Sequence, residues 1–156
     1  PEILEKADEK ATNSLLYSLM MGNYTFGSQV SPIDNLPIND KVFLAQSQVI
    51  REAAEKGPCV IVGRCADAIL PDAVNIFVFS DMENRINRIM SLNPGLTREE
   101  AKASILAVDK RRKAYHEYYS TTQWGDMDAY DICLNSGLAG VEGCLEAALP
   151  YIKDVK

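Results

Sequence analysis

The chain has 156 residues, a formal net charge of −6 and 24% charged residues, a composition typical of one globular domain. Its 47% hydrophobic content is too high for an intrinsically disordered chain, and no apolar stretch approaches the roughly 18 residues that span a bilayer. The acidic balance excludes a broad basic surface for nucleic acid but leaves room for a local basic site. We therefore expect neither a nucleic-acid partner nor a membrane partner.

The cysteines and the single histidine argue against a metal centre. The four cysteines are Cys59, Cys65, Cys133 and Cys144. None belongs to a CxxC pair, and His116 has no second histidine to join it at a zinc site. Unpaired, reduced thiols are typical of a cytoplasmic protein, so we expect that location and no protein-held metal.

Helical patterns dominate the first third of the chain. Residues 3–21 repeat apolar side chains at helical spacing, and glycines and prolines then make 22–38 a long loop. The next apolar periodicity predicts a helix over about 40–56, with Asn39 or Asp40 as its N-cap.

Three short apolar runs predict β-strands, at 59–62, 74–79 and 130–135. Continuous apolar runs between helices are typical of parallel strands buried on both faces, which predicts an α/β fold with three α/β/α layers. Three strands are fewer than the usual four to six or so. Because the chain also enters a helix abruptly and without methionine, we expect an N-terminal βαβ part to be missing.

Two capping boxes begin the helices that follow the second predicted strand. Ser80 opens a helix over about 81–92, and Thr97 opens a long helix over about 98–118. A last helix is predicted over about 139–153.

The first candidate site is Arg64, which follows Gly63 at the carboxyl end of the first predicted strand. Ligands of open parallel sheets bind beyond the carboxyl ends of the strands. A guanidinium offers a planar fork for phosphate or carboxylate there. A plain surface arginine after a turn is the alternative.

Further arginines lie on predicted helices. Arg85 and Arg88 are three residues apart and so share a helix face. Residues 109–113 hold four cations and one anion, a local charge of +3, and Asp109 could hold the fork of Arg112 toward a phosphate. A solvated helix face is the alternative for both sets. Clustered arginines without a metal cluster favour phosphoryl transfer, where catalysis is mostly positioning and charge neutralisation.

Two other chemistries find little support. No G-x-x-x-x-G-K-[ST] phosphate loop occurs in the chain. His116 stands beside three tyrosines, Tyr115, Tyr118 and Tyr119, so we expect it to be a surface or packing residue rather than part of a Ser–His–Asp site.

Several segments resemble the cytidylate kinase-like family, in order and across essentially the whole chain. They are CVIVGRCADAIL at 59–70, DKRRKAY at 109–115, WGDMDAYDICLNS at 124–136 and ADEKATNSLLYS at 7–18. This family is similar to the nucleoside monophosphate kinases of the P-loop fold. The resemblance implies one kinase-like domain over 1–156, with an NMP-binding region at 22–57 and a lid region at about 97–129.

The resemblance also implies roles for particular residues. The substrate-binding residues would be Arg64, Asp67, Arg85 and Arg88. Asp109 and Arg112 match the D-x-x-R of the lid, where the arginine neutralises the transferring phosphoryl group and the aspartate helps to hold the acceptor. The cofactors would be ATP and Mg²⁺, and the partner a small nucleotide; homo-oligomer formation stays open.

Two departures from the family pattern shape the expected function. The family's phosphate loop lies upstream of the segment matched by residues 1–18, so we expect these 156 residues by themselves to be inactive. Ile105 also stands where cytidylate kinases carry a further arginine, and the strand that closes at Phe79 lacks their acid, which leaves the acceptor open. The alternatives are a kinase of the same fold with another small acceptor, or a non-catalytic anion-binding or oligomeric regulatory protein.

Overall fold

The computed structural model describes residues 36–154. Its elements in chain order are α1 (Ile38–Glu55), α2 (Ala66–Ile69), β1 (Ile76–Phe79), α3 (Met82–Leu92), α4 (Arg98–Tyr119), a 3₁₀ turn (Met127–Ala129), β2 (Ile132–Asn135) and α5 (Ser136–Asp154). The predicted helix 3–21 and the predicted loop up to residue 35 lie outside the described residues. In the part of the chain that the structure describes, no helix combines the length and apolarity needed to cross a bilayer.

The sheet of the described residues is small and parallel. β1 and β2 pair in register, from Ile76 beside Ile132 to Phe79 beside Asn135. Helices make up most of the remaining structure. The α/β class with a parallel sheet is therefore confirmed, and the strands that pair are the second and third predicted ones.

The predicted strand at 59–62 is wrong. Residues 58–62 form no strand, and Val60 and Val62 are 93% and 87% exposed. Ile61 alone of these side chains packs against an apolar core. A parallel strand needs a neighbour to take its backbone hydrogen bonds, and no described strand pairs with this segment. β1 is also less covered than predicted, because Val78 and Phe79 are exposed.

The chain divides into two compact units. The described residues of unit 1 are 36–71 and 111–124, and those of unit 2 are 72–110 and 125–154. Unit 1 is built around an apolar core of six buried residues: Phe43, Ile50, Cys65, Ile69, Tyr115 and Tyr119. The rings of Phe43 and Tyr119 stack with centroids 4.0 Å apart, which ties α1 to the end of α4.

Unit 2 holds the sheet and a second apolar core. Ile86 on α3 packs against Ala101 and Ile105 on α4. The ring of Phe77 on β1 stacks on Tyr130 just before β2, with centroids 4.7 Å apart. The first contact fixes α3 against α4, and the second ties β1 to the segment that leads into β2.

The helix caps match the predictions in one case out of three. Thr97 and Glu100 form the predicted capping box: the Glu100 backbone N–H donates to Thr97 Oγ1 at 3.3 Å, and the Thr97 N–H donates to Glu100 Oε2 at 2.8 Å. The predicted cap at Ser80 is wrong, since Asp81 Oδ1 accepts from the Asn84 N–H at 3.0 Å. The carboxylate is the stronger acceptor of the two neighbours.

The predicted cap of α1 is also wrong. The helix begins at Ile38, and neither Asn39 nor Asp40 caps it. Asp40 is instead fully buried, where Tyr119 donates its hydroxyl to Asp40 Oδ1 at 3.0 Å and Asp40 Oδ2 has no hydrogen-bond partner. Burial raises the pKa of the Asp40 carboxyl, and the Tyr119 hydrogen bond offsets only part of that rise.

Replacing Asp40 with asparagine should stabilise the protein more at pH 7 than at pH 4. The raised folded-state pKa means that wild-type stability is lost as pH rises above the ordinary value of 3.8, whereas asparagine does not titrate. We expect a gain of about 1 kcal/mol at pH 7, the scale of a buried group left partly unsatisfied. Urea unfolding at both pH values measures it. The same change at exposed Asp72 is the control, and an equal pH trend in both variants would contradict the burial argument.

Candidate functional site

Three consecutive residues of unit 1 lie in the left-handed region of backbone conformation. The φ angles are +71° at Gly63, +60° at Arg64 and +52° at Cys65. Glycine adopts such angles freely, but each residue with a side chain costs about 1–2 kcal/mol there. The surrounding structure must therefore hold this left-handed turn, residues 63–65, in place.

Burial of Cys65 is the first restraint on the left-handed turn. Its side chain lies in the apolar core of unit 1. Burial, with a smaller contribution from the charge of Asp67, raises the pKa of the Cys65 thiol to about 12. Cys65 is therefore an anchoring hydrophobe rather than a nucleophile.

A buried hydrogen-bonded pair is the second restraint. His116 Nε2 lies 2.8 Å from Asp67 Oδ2, and the two side chains are 7% and 19% exposed. Burial raises the pKa of Asp67, but the hydrogen bond and charge of His116 and the backbone N–H groups of Asp67 and Ala68 outweigh it, so the pKa lies below its usual value. Asp67 is then a carboxylate, which can only accept, so His116 Nε2 carries the donated proton.

The left-handed turn leaves Arg64 exposed between residues that are held in place. Asp67, predicted to bind substrate, faces His116. His116 was predicted to be a surface or packing residue; it is buried as packing requires, but its contact with Asp67 gives it a polar role that the sequence interpretation missed. No local motif signals this pair, because 49 residues separate its members.

Unit 2 contains a second arrangement of predicted site residues. Arg85 on α3 donates from Nη1 to Asp109 Oδ2 and from Nη2 to Asp109 Oδ1, both at 2.7 Å. This bidentate pair is partly buried, with 31% and 22% of the two side chains exposed. It lies beside the contact of Ile86 with Ile105, one residue and one helical turn away along the two helices. The pair therefore joins α3 to α4.

Asp109 does not hold the fork of Arg112, contrary to the sequence prediction. Both carboxylate oxygens of Asp109 are taken by Arg85, which the planar guanidinium fits with two parallel hydrogen bonds. Arg112 is exposed on α4 and forms no ion pair with a described residue, and Arg88 is exposed on α3. Of the six predicted site residues, Arg85 and Asp109 thus pair with each other and Asp67 pairs with His116, while Arg64, Arg88 and Arg112 belong to neither pair.

The described residues offer no cage for a metal ion. Among residues 36–154 there is no group of three or more histidine, cysteine or acidic side chains close enough to bind one.

Comparison with known proteins places these features in a family. The sequence profile of the cytidylate kinase-like family matches residues 1–138. The chain belongs to the cytidylate kinase-like family. The matched range includes the left-handed turn, His116 and the Arg85–Asp109 pair.

A solved structure supports the fold of this family member. The crystal structure of an uncharacterized protein from Eubacterium ventriosum is 33% identical in sequence and superposes with a TM-score of 0.70. The match covers 78% of this chain and 69% of that chain. Among curated proteins, none matches the chain.

Proposed function

We propose that this member of the cytidylate kinase-like family transfers the γ-phosphoryl group of ATP to a phosphate-bearing acceptor, a nucleoside monophosphate, in a three-layer P-loop kinase fold. An acceptor phosphate oxygen forms the new bond to the γ-phosphorus, and the bond from that phosphorus to the bridging oxygen breaks to release ADP. The observation that best supports the proposal is the left-handed turn, where Arg64 is held at the surface in an unfavourable backbone conformation.

Arg64 is the residue that would hold the acceptor phosphate. Its guanidinium can donate two parallel hydrogen bonds to phosphate oxygens, and the left-handed backbone at residues 64 and 65 sets the position from which that side chain extends. Asp67 supports this arrangement from its contact with His116. A nucleoside or sugar without a phosphate would lack the group that this fork is proposed to bind.

Two more exposed cations are proposed to act on phosphate. Arg112 would offset charge on the transferring phosphoryl group, and Arg88 would bind substrate. For Arg85 and Asp109 we propose a structural role in place of the substrate-binding and catalytic roles that the resemblance implies, because the two side chains are bonded to each other. Their proposed role is to fix α4 against α3 within unit 2.

ATP and Mg²⁺ are the donor and the ion that the family implies. Mg²⁺ usually reaches kinases on the phosphates of the nucleotide, where it neutralises their charge.

A cytoplasmic location is proposed with this function. All four cysteines are free thiols, as expected in a reducing compartment.

Transfer of ³²P from ATP by the full-length protein tests the function. The acceptor panel should contain nucleoside monophosphates, each beside its nucleoside, with nucleotide products separated by chromatography. We expect labelled diphosphate from at least one monophosphate and none from the matched nucleoside. Equal labelling of a nucleoside or a sugar would contradict the phosphate-bearing acceptor, and transfer to no acceptor would contradict the kinase.

A further inference from the structure

The buried His116–Asp67 pair joins two segments that are distant in sequence within unit 1. His116 lies in the last turn of α4, and Asp67 lies in α2, two residues after the left-handed turn. The one-turn helix α2 follows the turn directly, and the Ala66 N–H donates to the Gly63 carbonyl at 3.2 Å. Because only one residue separates Asp67 from the turn, restraint of the Asp67 side chain also restrains the strained residues.

We propose that His116 is a positioning residue, which acts through Asp67 to hold the left-handed turn so that Arg64 meets the acceptor phosphate. This proposal rests on the proposed function for its ligand, but the restraint on the turn can be measured without one.

The chemistry of the pair suits holding rather than proton transfer. Asp67 is a carboxylate and accepts the proton of Nε2. His116 Nδ1 is buried and has no hydrogen-bond partner, so a proton placed there would be a buried donor without an acceptor. The pair is thus built around one directed hydrogen bond with a fixed tautomer.

The strain in the backbone explains why loss of that hydrogen bond should change the conformation of the turn. Arg64 and Cys65 have side chains and left-handed φ angles, so the segment relaxes toward ordinary conformations when its restraints weaken. Burial of Cys65 restrains the last residue of the turn, and the pair restrains the chain two residues further on. Without the pair, we expect Arg64 to sample several orientations and to bind an anion less tightly.

Two variants of His116 separate positioning from packing. His116→Leu keeps an apolar volume but removes the donor, whereas His116→Gln can still donate to Asp67. Ser47→Ala is the matched control, because Ser47 is buried in the same unit and donates to the Phe43 carbonyl at 2.8 Å, a bond within α1. Asp67→Ala removes the acceptor and tests the pair from its other end if His116→Leu fails to fold.

Hydrogen exchange and CMP binding are the two measurements. Exchange is followed at the amides of residues 66, 68, 69 and 70, which donate to carbonyls of residues 63, 65 and 66. We expect His116→Leu to speed exchange at these amides about tenfold and to raise the dissociation constant of CMP about tenfold. Both effects have the size expected for loss of a hydrogen bond to a charged group. His116→Gln should stay within about threefold of wild type, and Ser47→Ala should change neither.

Each other outcome has a distinct meaning. Unchanged exchange at these amides in His116→Leu overturns the restraint on the turn. Faster exchange with unchanged CMP binding overturns its link to Arg64. Equal losses of amide protection and CMP affinity in His116→Leu and Ser47→Ala would mean that His116 contributes only general packing, which overturns the proposal. Failure of the wild-type protein to bind CMP or any other nucleoside monophosphate of the acceptor panel contradicts the proposed function instead, and the exchange data still decide whether His116 holds the turn.

Discussion

Arg64→Ala is expected to weaken CMP binding about 100-fold, which corresponds to about 2.7 kcal/mol. A bidentate contact between guanidinium and phosphate consists of two charge-assisted hydrogen bonds, each worth about 1.5–3 kcal/mol before the ordering of the side chain is subtracted. In this chain part of that ordering is supplied in advance, because the left-handed turn fixes the backbone of Arg64. Isothermal titration calorimetry with CMP measures the loss.

Three control variants make the Arg64 result specific. Arg51→Ala removes the same charge from an exposed site on α1 of the same unit and should leave binding within about threefold. Arg64→Lys keeps the charge but loses the fork, so it should fall between wild type and alanine. Arg64→Gly should lose binding like alanine without loss of stability, since glycine accepts the φ of +60°. Equal losses in Arg51→Ala and Arg64→Ala would reduce the effect to general electrostatic attraction.

Arg85 and Asp109 should show a coupling free energy of about 2 kcal/mol in a double-mutant cycle on unfolding. Exposed ion pairs usually give about 0–1 kcal/mol. This pair is stronger because it is bidentate at 2.7 Å and because less than a third of either side chain is exposed. Urea unfolding of Arg85→Ala, Asp109→Ala and the double variant gives the coupling directly.

The ion pair between Lys113 and Glu117 is the internal control for that cycle. It is an i,i+4 pair on α4 with a separation of 3.6 Å and side chains 59% and 36% exposed. Its coupling should be about 0.3–0.5 kcal/mol. A coupling for Arg85 and Asp109 no larger than this would contradict their proposed role in fixing α4 against α3.

The helices were predictable because their signals are local. The periodicity of apolar residues and the Thr97–Glu100 box predicted a helix over about 98–118, and the structure has it at Arg98–Tyr119. α1 was predicted within two residues at its start and one at its end. Its first turn was misread because Asp40 is held by Tyr119, a contact that no local pattern encodes.

The strand prediction failed where it depended on a neighbour. The run at 59–62 is as apolar as that at 76–79, but only the latter has a described partner strand to take its hydrogen bonds. An apolar run favours a buried, extended segment, but the segment joins a sheet only if another part of the chain supplies a partner strand. The cap of α3 shows the same limit at the scale of one residue, because Ser80 was predicted and its neighbour Asp81 is the cap.

The candidate site was predictable in its residues but not in its contacts. Glycine and arginine after an apolar run pointed to Arg64, and the D-x-x-R spacing pointed to Asp109. The strain at residues 64 and 65 has no sequence signature in non-glycine residues. The partners of Asp67 and Asp109 lie 49 and 24 residues away, so spacing within one helix suggested the wrong partner for Asp109.

Whether Arg64 holds an acceptor phosphate is tested most directly by a double-mutant cycle in which one change removes the Arg64 side chain and the other removes the phosphate of the ligand. Calorimetry compares CMP with cytidine on the wild-type protein and on Arg64→Ala. We predict that removing the phosphate from the ligand weakens binding about 100-fold in wild type but less than about threefold in Arg64→Ala, because the lost contact is the same one. A phosphate effect of equal size in both proteins, or equal binding of CMP and cytidine by wild type, would contradict a phosphate-bearing acceptor held by Arg64.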